Sequence, residues 1–504
     1  MSSRLFRSAR YLLEGTRFPN LTRFARKNQT FEAALSALAP TRGRGRVDQA
    51  IVGNANRFAA EGDYALLTTL LDALRPFLNP DQSPDARDFW DALVADCRAI
   101  TEDRLRSGEM NSLWGVTPIV NLTSGVAADR ALGVNARSLV FTTYHTSSNF
   151  DFVCSEIQAR LVAERGEDWF LFRWLMLIWA IANFDFFHLY NDRGIIEPAG
   201  GYGSPRFGIA VREMEIYRQA GKRLYTYAYG ADHRTREKNM ALGKWNFCSE
   251  CPDPGVYCVC DDAGGAAMLQ VIREYSTAVV AHGLAMKLIP GARNVPYLTV
   301  DVDRVSPGPP RSRGNGKLVV GHFPNHGYFK GTKYLQGAID SLQAEGHQVE
   351  FLQLSGRPHD EILAAMQTID VLVDQLISGS FGLTAVEAMA SGCPVICYLH
   401  DGVAVAEREA CPVIEANPDT IKQVLHQLIL DRARLSDAGA AGRHALLAKD
   451  RRPGQPRRTL CRHHPGGDAG LGAFRIPCAG LFELLRPVPR SPDHLAGQGG
   501  GGCL

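Results

Sequence analysis

The stretch GSFGLTAVEAMASGCPVIC, Gly379 to Cys397, carries one acid, Glu387, in an otherwise apolar pattern. It follows the β-branched run DVLVDQL and runs into PVICYL, so it reads as strand, turn, helix, strand. The helix starts near Gly382 or Leu383, and its first backbone N–H groups lack intrahelical partners and point above the sheet. Such a start favours a phosphate through hydrogen bonding and dipole. Glu387 lies within the first turns, where a carboxylate can accept two hydroxyl hydrogen bonds from a ribose. A phosphate and a diol together describe a nucleotide. The bland alternative is an amphipathic helix closed by Gly392 with Glu387 solvated.

Outward from this stretch, the same rhythm extends in both directions. Residues 317–448 read as strand KLVVGHF, helix GTKYLQGAIDSLQAEG, strand QVEFLQLS, helix DEILAAMQT, then the opening stretch, PVIEA and one long helix DTIKQVLHQLILDRARLSD. Upstream, residues 111–303 alternate short runs (VTPIVNL, SLVFTTY, FDFFHLY, LYTYAYG) with helical segments such as SEIQARLVAERG and AVREMEIYRQAG. A Pro/Gly linker, residues 304–316, separates the two units. Residues 1–110 read as helices without strands. The fold class is therefore α/β, two doubly wound Rossmann-like domains facing a cleft, with a helical N-terminal region. From 449 to 504 the periodicity is lost in an irregular, Pro/Gly/Arg-rich tail. A disordered segment and a frame change at the native C-terminus both account for that loss.

Composition narrows the partners. A chain of 504 residues exceeds one core. With 45% hydrophobic and 21% charged residues it is globular, and a net charge of +2 gives no overall field for nucleic acid. The chain opens without the apolar core of a secretory signal, and its 12 cysteines are scattered, which suits a reducing, cytoplasmic compartment. The run WFLFRWLMLIWAIANFDFFHLY is interrupted by Arg173, Asn183 and Asp185. It falls short of the ~18 apolar residues of a membrane span and reads as a buried helix entering a buried strand. The basic opening, with Arg4, Arg7, Arg10, Arg17, Arg23, Arg26 and Lys27 among Leu5, Phe6, Tyr11, Leu12 and Leu13, suits either an anionic membrane surface at its inner face or a solvated helix.

SFGLTAVEAMASGCPVI closely resembles the GFGLxxxEAMAxGxPVI element of the retaining glycosyltransferases of family 4 (glycosyl transferases group 1), which have the GT-B fold. The resemblance extends over about Val116 to Arg443. It implies a transferase that moves a sugar from a nucleotide-sugar donor to a saccharide or lipid-linked acceptor, as in surface polysaccharide or glycolipid assembly. Glu387 takes the place of the second Glu of the family's Glu-x7-Glu motif, which holds the ribose. The first Glu, which contacts the donor sugar, falls on Gly379. GHFPNHGYFKGTKYLQGAI, Gly321 to Ile339, resembles the family's xxKG element, so Lys330 is implied to neutralise the donor diphosphate. An Arg often precedes this Lys in the family; here stand Asn325, His326 and Gly327. The implied donor-binding set is Asn325, Gly331, Gly379, Ser380, Phe381, Gly382, Leu383 and Thr384. His188, ending FDFFHLYND, and Asp232, in a loop resembling HGxD with Tyr229 and Gly230, are implied on the sugar and acceptor side. Catalysis is expected without a metal cofactor and without a covalent nucleophile.

Two further readings stand beside this one. CSECPDPGVYCVC brings Cys248, Cys251, Cys258 and Cys260 close in sequence, and structural zinc, an iron–sulfur cluster and free thiols are all open there. Gly379 and the missing Arg suit a catalytically weakened module that binds sugar or nucleotide. Within enzymes, a nucleotide-sugar epimerase or hydrolase of the same fold is the alternative.

Overall fold

In a computed structural model, residues 18–31 and 64–448 are described, apart from 145–146, 148, 167, 192, 197–207, 229–234, 256–259, 296–299, 301, 303–304, 309–315 and 402–410. Two parallel sheets form the frame. The first contains β1 (Asn111–Val116), β2 (Asn135–Val140), β3 (Phe152–Val153), β4 (Phe186–Tyr190), β5 (Arg223–Tyr227), β6 (Ala278–Ala281) and β7 (Arg293–Asn294) in the order β3-β2-β1-β4-β5-β6-β7. The second contains β8 (Leu318–His322), β9 (Val349–Gln353), β10 (Val371–Val373), β11 (Val395–Cys397) and β12 (Ile414–Glu415) in the order β12-β11-β10-β8-β9. All described pairings within both sheets are parallel. The order reverses between β1 and β4 in one sheet and between β8 and β10 in the other. Doubly wound sheets open a crevice at such points, beyond the carboxyl ends of their strands.

The central strands are covered on both faces and are buried at every residue in β4, β10 and β11, whereas the edge strand β9 keeps Glu350 and Gln353 exposed. One face of the first sheet shares its core with the N-terminal helices Pro19–Lys27 and Pro84–Ser107. The second of these starts where Ser83 Oγ accepts from the Ala86 N–H and Pro84 takes a position that needs no donor. Asp96, inside it, accepts from the backbone N–H groups of Asn20 and Leu21 and so caps the first helix. Leu21, Phe24 and Ala25 of that helix are buried in protein. Of the basic opening, residues 1–17 lie outside the described residues, as do 449–504.

The structure changes three sequence expectations. The run VTPIVNL is not a strand: β1 ends at Val116 and a helix, Val120–Ala131, begins within the run. β-Branched content suggested extension, but burial of Leu122 and Val126 at helical spacing against Trp114 decided the outcome. The single long helix expected after PVIEA is two, Ile421–Leu430 and Ala433–Ala448, broken at Asp431 and Arg432. Arg432 Nη2 there donates to the Gly316 carbonyl, which turns the chain back toward the sheet. The apolar run before β4 is, as expected, a helix, Asp168–Asn183. No helix among the described residues is long and apolar enough to cross a membrane. The third change concerns His188.

Candidate functional site

At the end of β8 the chain makes one helical turn, Gly327–Lys330, and then starts a second helix, Thr332–Ala344. Gly331 joins them at φ +82, and a side-chain carbon there would meet Leu376 Cβ at 3.0 Å, so this junction needs glycine. His322 pins it from below: its Nδ1 lies 2.7 Å from the Val373 carbonyl and its Nε2 2.8 Å from Thr332 Oγ1. Burial pushes this imidazole down to about 4, so it is neutral at pH 7. A carbonyl can only accept; Nδ1 therefore carries the proton and Nε2 accepts from the threonine.

Lys330, thus placed, reaches across the β8/β10 switch point to Asp374, the first residue after β10, with Nζ 2.6 Å from Oδ1. The other oxygen, Oδ2, accepts the Gly382 N–H at 2.8 Å. Asp374 is nearly sealed, with 1% of its side chain exposed, whereas Lys330 keeps 18%. One carboxylate therefore ties the lysine to the start of the helix Leu383–Ala390. A carbon added at Gly382 would lie 3.6 Å from Lys330 Nζ. The N–H groups that follow, at Leu383 and Thr384, open the helix beside this ammonium. An anion above the crevice meets a positive side chain and a helix N-terminus together. His326, exposed beside them, is held below its usual value first by partial burial and then by the Lys330 charge. Asn325 is exposed on the same turn.

Farther along this helix stands Glu387, buried at 4%. Its Oε1 is 2.6 Å from Nε2 of His359, the first residue of the helix His359–Ala365 behind β9. Gly382 and Glu387 are five positions apart, about 7.5 Å of helical rise, so an anion at the helix start and a polar group at Glu387 suit one elongated ligand.

Gly379 adopts φ +75, and a carbon there would stand 2.8 Å from His400 Cβ and 3.3 Å from Leu284 Cδ2. The backbone, and not only the side chain, departs from what an acid at this position needs. His400 N donates to the Gly379 carbonyl, while His400 Nε2 lies 2.8 Å from the Leu242 carbonyl in the first sheet's unit. Phe381 meets His282 edge-on across the crevice, and Ser380 is partly exposed beside it.

The two units are further joined beside Lys330. Glu250 accepts from Tyr334 Oη at 2.7 Å and pairs with Lys333 at 2.5 Å. Phe247 packs on Phe329, and Lys244 and Trp245 both donate to Asp419. From the other side, Arg443 donates to the Val302, Val305 and Ala390 carbonyls.

His188 does not reach this crevice. It is the middle residue of β4, 1% exposed, stacked at 4.2 Å on Trp114 with Tyr225 on its other face, and its Nδ1 is 2.8 Å from Tyr227 Oη. Burial drives it down to about 3. Strand alternation turned it into the core, a choice that position near a strand end did not reveal. Asp232, with Tyr229 and Gly230, lies outside the described residues. So does Cys258; among the described residues no group of three His, Cys, Asp or Glu side chains is placed to hold a metal. Cys248 is pushed up by burial and then by its neighbours Cys260 and Cys251.

Sequence reasoning passed over Asp374, His359, His322 and His400. Asp374 had a usable signal, as the acid ending the strand before the helix start. The histidines had none, because their partners are distant in the chain.

Residues 318–445 match the profile of the family described as Glycosyl transferases group 1. This segment is a glycosyl transferases group 1 domain. The domain contains the whole Lys330, Asp374 and Glu387 arrangement, and each of the two parallel sheets has a doubly wound strand order. No curated protein matches the chain. Among solved structures, a sucrose-phosphate synthase from Thermosynechococcus elongatus is similar at 11% identity and TM-score 0.44, over 68% of this chain and 94% of that one. HepE from Anabaena, in complex with UDP-glucose, is similar at 13% identity and TM-score 0.43, over 68% and 95%. The pneumococcal O-GlcNAc transferase GtfA, with UDP and GlcNAc, is similar at 14% and 0.32, over 47% and 50%. Likenesses of this size carry no argument about donor or acceptor.

Proposed function

We propose that the protein transfers a hexose from a nucleotide-sugar donor to a saccharide or lipid-linked acceptor, with retention at the sugar. The observation that carries this is the Lys330–Asp374–Gly382 bridge at the switch point, inside the group 1 domain and one and a half turns before a buried carboxylate. Lys330 and the N–H groups of Leu383 and Thr384 take the diphosphate, and Glu387 takes the ribose hydroxyls. When the glycosidic bond breaks, charge develops on the leaving phosphate beside an ammonium already aimed by Asp374, so little reorganisation opposes the step. That phosphate then accepts the acceptor's proton, which leaves no protein nucleophile to find and no metal to require.

The test is thermal stability against UDP, GDP, ADP, CDP and dTDP and their sugar conjugates, for the wild type and Glu387→Ala. A ligand at about a hundred times its dissociation constant adds roughly 2.7 kcal/mol. A shift for one base that the variant loses supports the donor site; no shift with any of them removes the transferase reading.

A second reading, a module that binds the nucleotide without turnover, is favoured by Gly379. Its backbone and its contact with His400 leave no place for the acid that would meet a donor sugar. Product formation with an acceptor decides between them.

A further inference from the structure

The hydrogen bond between His359 and Glu387 uses only half of the carboxylate. Oε1 is 2.6 Å from His359 Nε2. Oε2 accepts no hydrogen bond among the described residues, and it is not sealed from solvent. The side chain around it is otherwise well covered, at 6% exposure against 30% for the imidazole. A carboxylate in such surroundings is costly to leave half satisfied unless something arrives to use the free oxygen.

We infer that His359 is a positioning residue for the nucleotide's ribose: it fixes the rotamer of Glu387 through Oε1 and leaves Oε2 to accept the ribose hydroxyls. The inference rests on the donor-site reading above. The two side chains come from different crossovers, one behind β9 and one before β11, and 28 positions separate them, so local helix geometry does not bring them together. Only the fold does, and it does so on the helix that begins beside Lys330.

The bond has a charge component. Its partner Glu387 raises the imidazole above its ordinary value, burial opposes this, and the Glu387 and Asp360 charges add to the rise. On the same turn Glu361 faces Arg357 at 3.9 Å. The imidazolium is therefore kept toward neutral pH, and the aim of Glu387 is fully charge-assisted at low pH and weakens as pH rises through the raised value.

The experiment compares binding of UDP, GDP and ADP with their 2′,3′-dideoxy analogues, by calorimetry between pH 6 and 9, for wild type, His359→Ala, His359→Gln and Glu387→Ala. The wild type should prefer the ribose form about tenfold, near 1.4 kcal/mol, and the preference should shrink as pH rises. His359→Ala should lose most of the preference while keeping its affinity for the dideoxy form. His359→Gln, whose amide donates at every pH, should keep the preference and lose its pH dependence. If Glu387→Ala removes the preference but His359→Ala retains it with the wild-type pH profile, the inference fails and the donor site stands. If Glu387→Ala keeps the ribose preference, or no diphosphate binds the folded wild type, the donor-site reading fails and this inference with it. Circular dichroism and thermal midpoints confirm that each variant is folded.

Discussion

Lys330 Nζ and Asp374 Oδ1 meet at 2.6 Å from positions 44 residues apart, with the second Asp374 oxygen fixed on the Gly382 N–H. The aspartate gives up both oxygens to hold a cation and a helix start at one place. The resulting site is organised before any ligand arrives.

Lys330→Ala should therefore lower kcat by about 10²–10³, as removal of a preorganised charge does, with a smaller change in donor KM. Steady-state kinetics check this, and a chelator such as EDTA should leave wild-type turnover unchanged. Equal losses in kcat and 1/KM in the variant would count against a role at the leaving group.

Asp374→Ala strands a partly buried ammonium and frees the helix start, so it should destabilise the fold by about 3 kcal/mol. Urea unfolding monitored by circular dichroism measures this. A loss below 1 kcal/mol would show that Lys330 finds another partner.

Gly379→Glu supplies the first acid of the Glu-x7-Glu motif that this stretch resembles, yet should impair the protein. At φ +75 and 2.8 Å from His400 Cβ, the new side chain costs on the order of 1–3 kcal/mol. The expected result is a lower thermal midpoint and no gain in turnover; a gain would mean that the loop rearranges.

His188 and Asp129 should oppose each other in pH dependence. Burial holds His188 near 3 and raises Asp129 to about 6, so at their 3.8 Å contact both are neutral between those two pH values. The His188 contribution is present above its unfolded value near 6.5 and is lost as pH falls toward 3. The Asp129 contribution is present below its unfolded value near 4 and is lost as pH rises to 6. Between pH 4 and 6 the slopes, each at most about 1.4 kcal/mol per pH unit, cancel. His188→Phe removes one of them, so its stability relative to wild type should fall as pH rises from 4 to 6. A difference that does not change with pH, in urea titrations at each pH, overturns this account.

Glu250→Ala removes the acceptor shared by Tyr334 and Lys333 beside the Lys330 turn. Donor KM should rise several-fold with kcat retained, because the contact is one of those that hold the two units together beside the Lys330 turn. An unchanged KM would make the contact incidental to the site.

Much of the alternating pattern was legible because a doubly wound sheet buries strands on both faces, and β4, β5, β8 and β10 appear as apolar runs whatever their neighbours. VTPIVNL misled for the same reason, since a short β-branched run fits a buried helix turn equally well. The places of Lys330, Gly382 and Glu387 at or within their helices were legible because helix starts and local spacing are properties of contiguous chain. His188 was not, since a strand's two faces look alike until the layer above each is known.

The sequence by itself thus determined the two alternating units, the glycine-rich turns, the lysine beside one helix start and the glutamate inside another helix. Only the tertiary structure decided strand order, and with it the partners of those two charges. Asp374 reaches Lys330 because β10 lies beside β8, and His359 reaches Glu387 because crossovers far apart in the chain converge above one end of the sheet. Local propensity acts over a few residues, whereas these contacts depend on which strands pair.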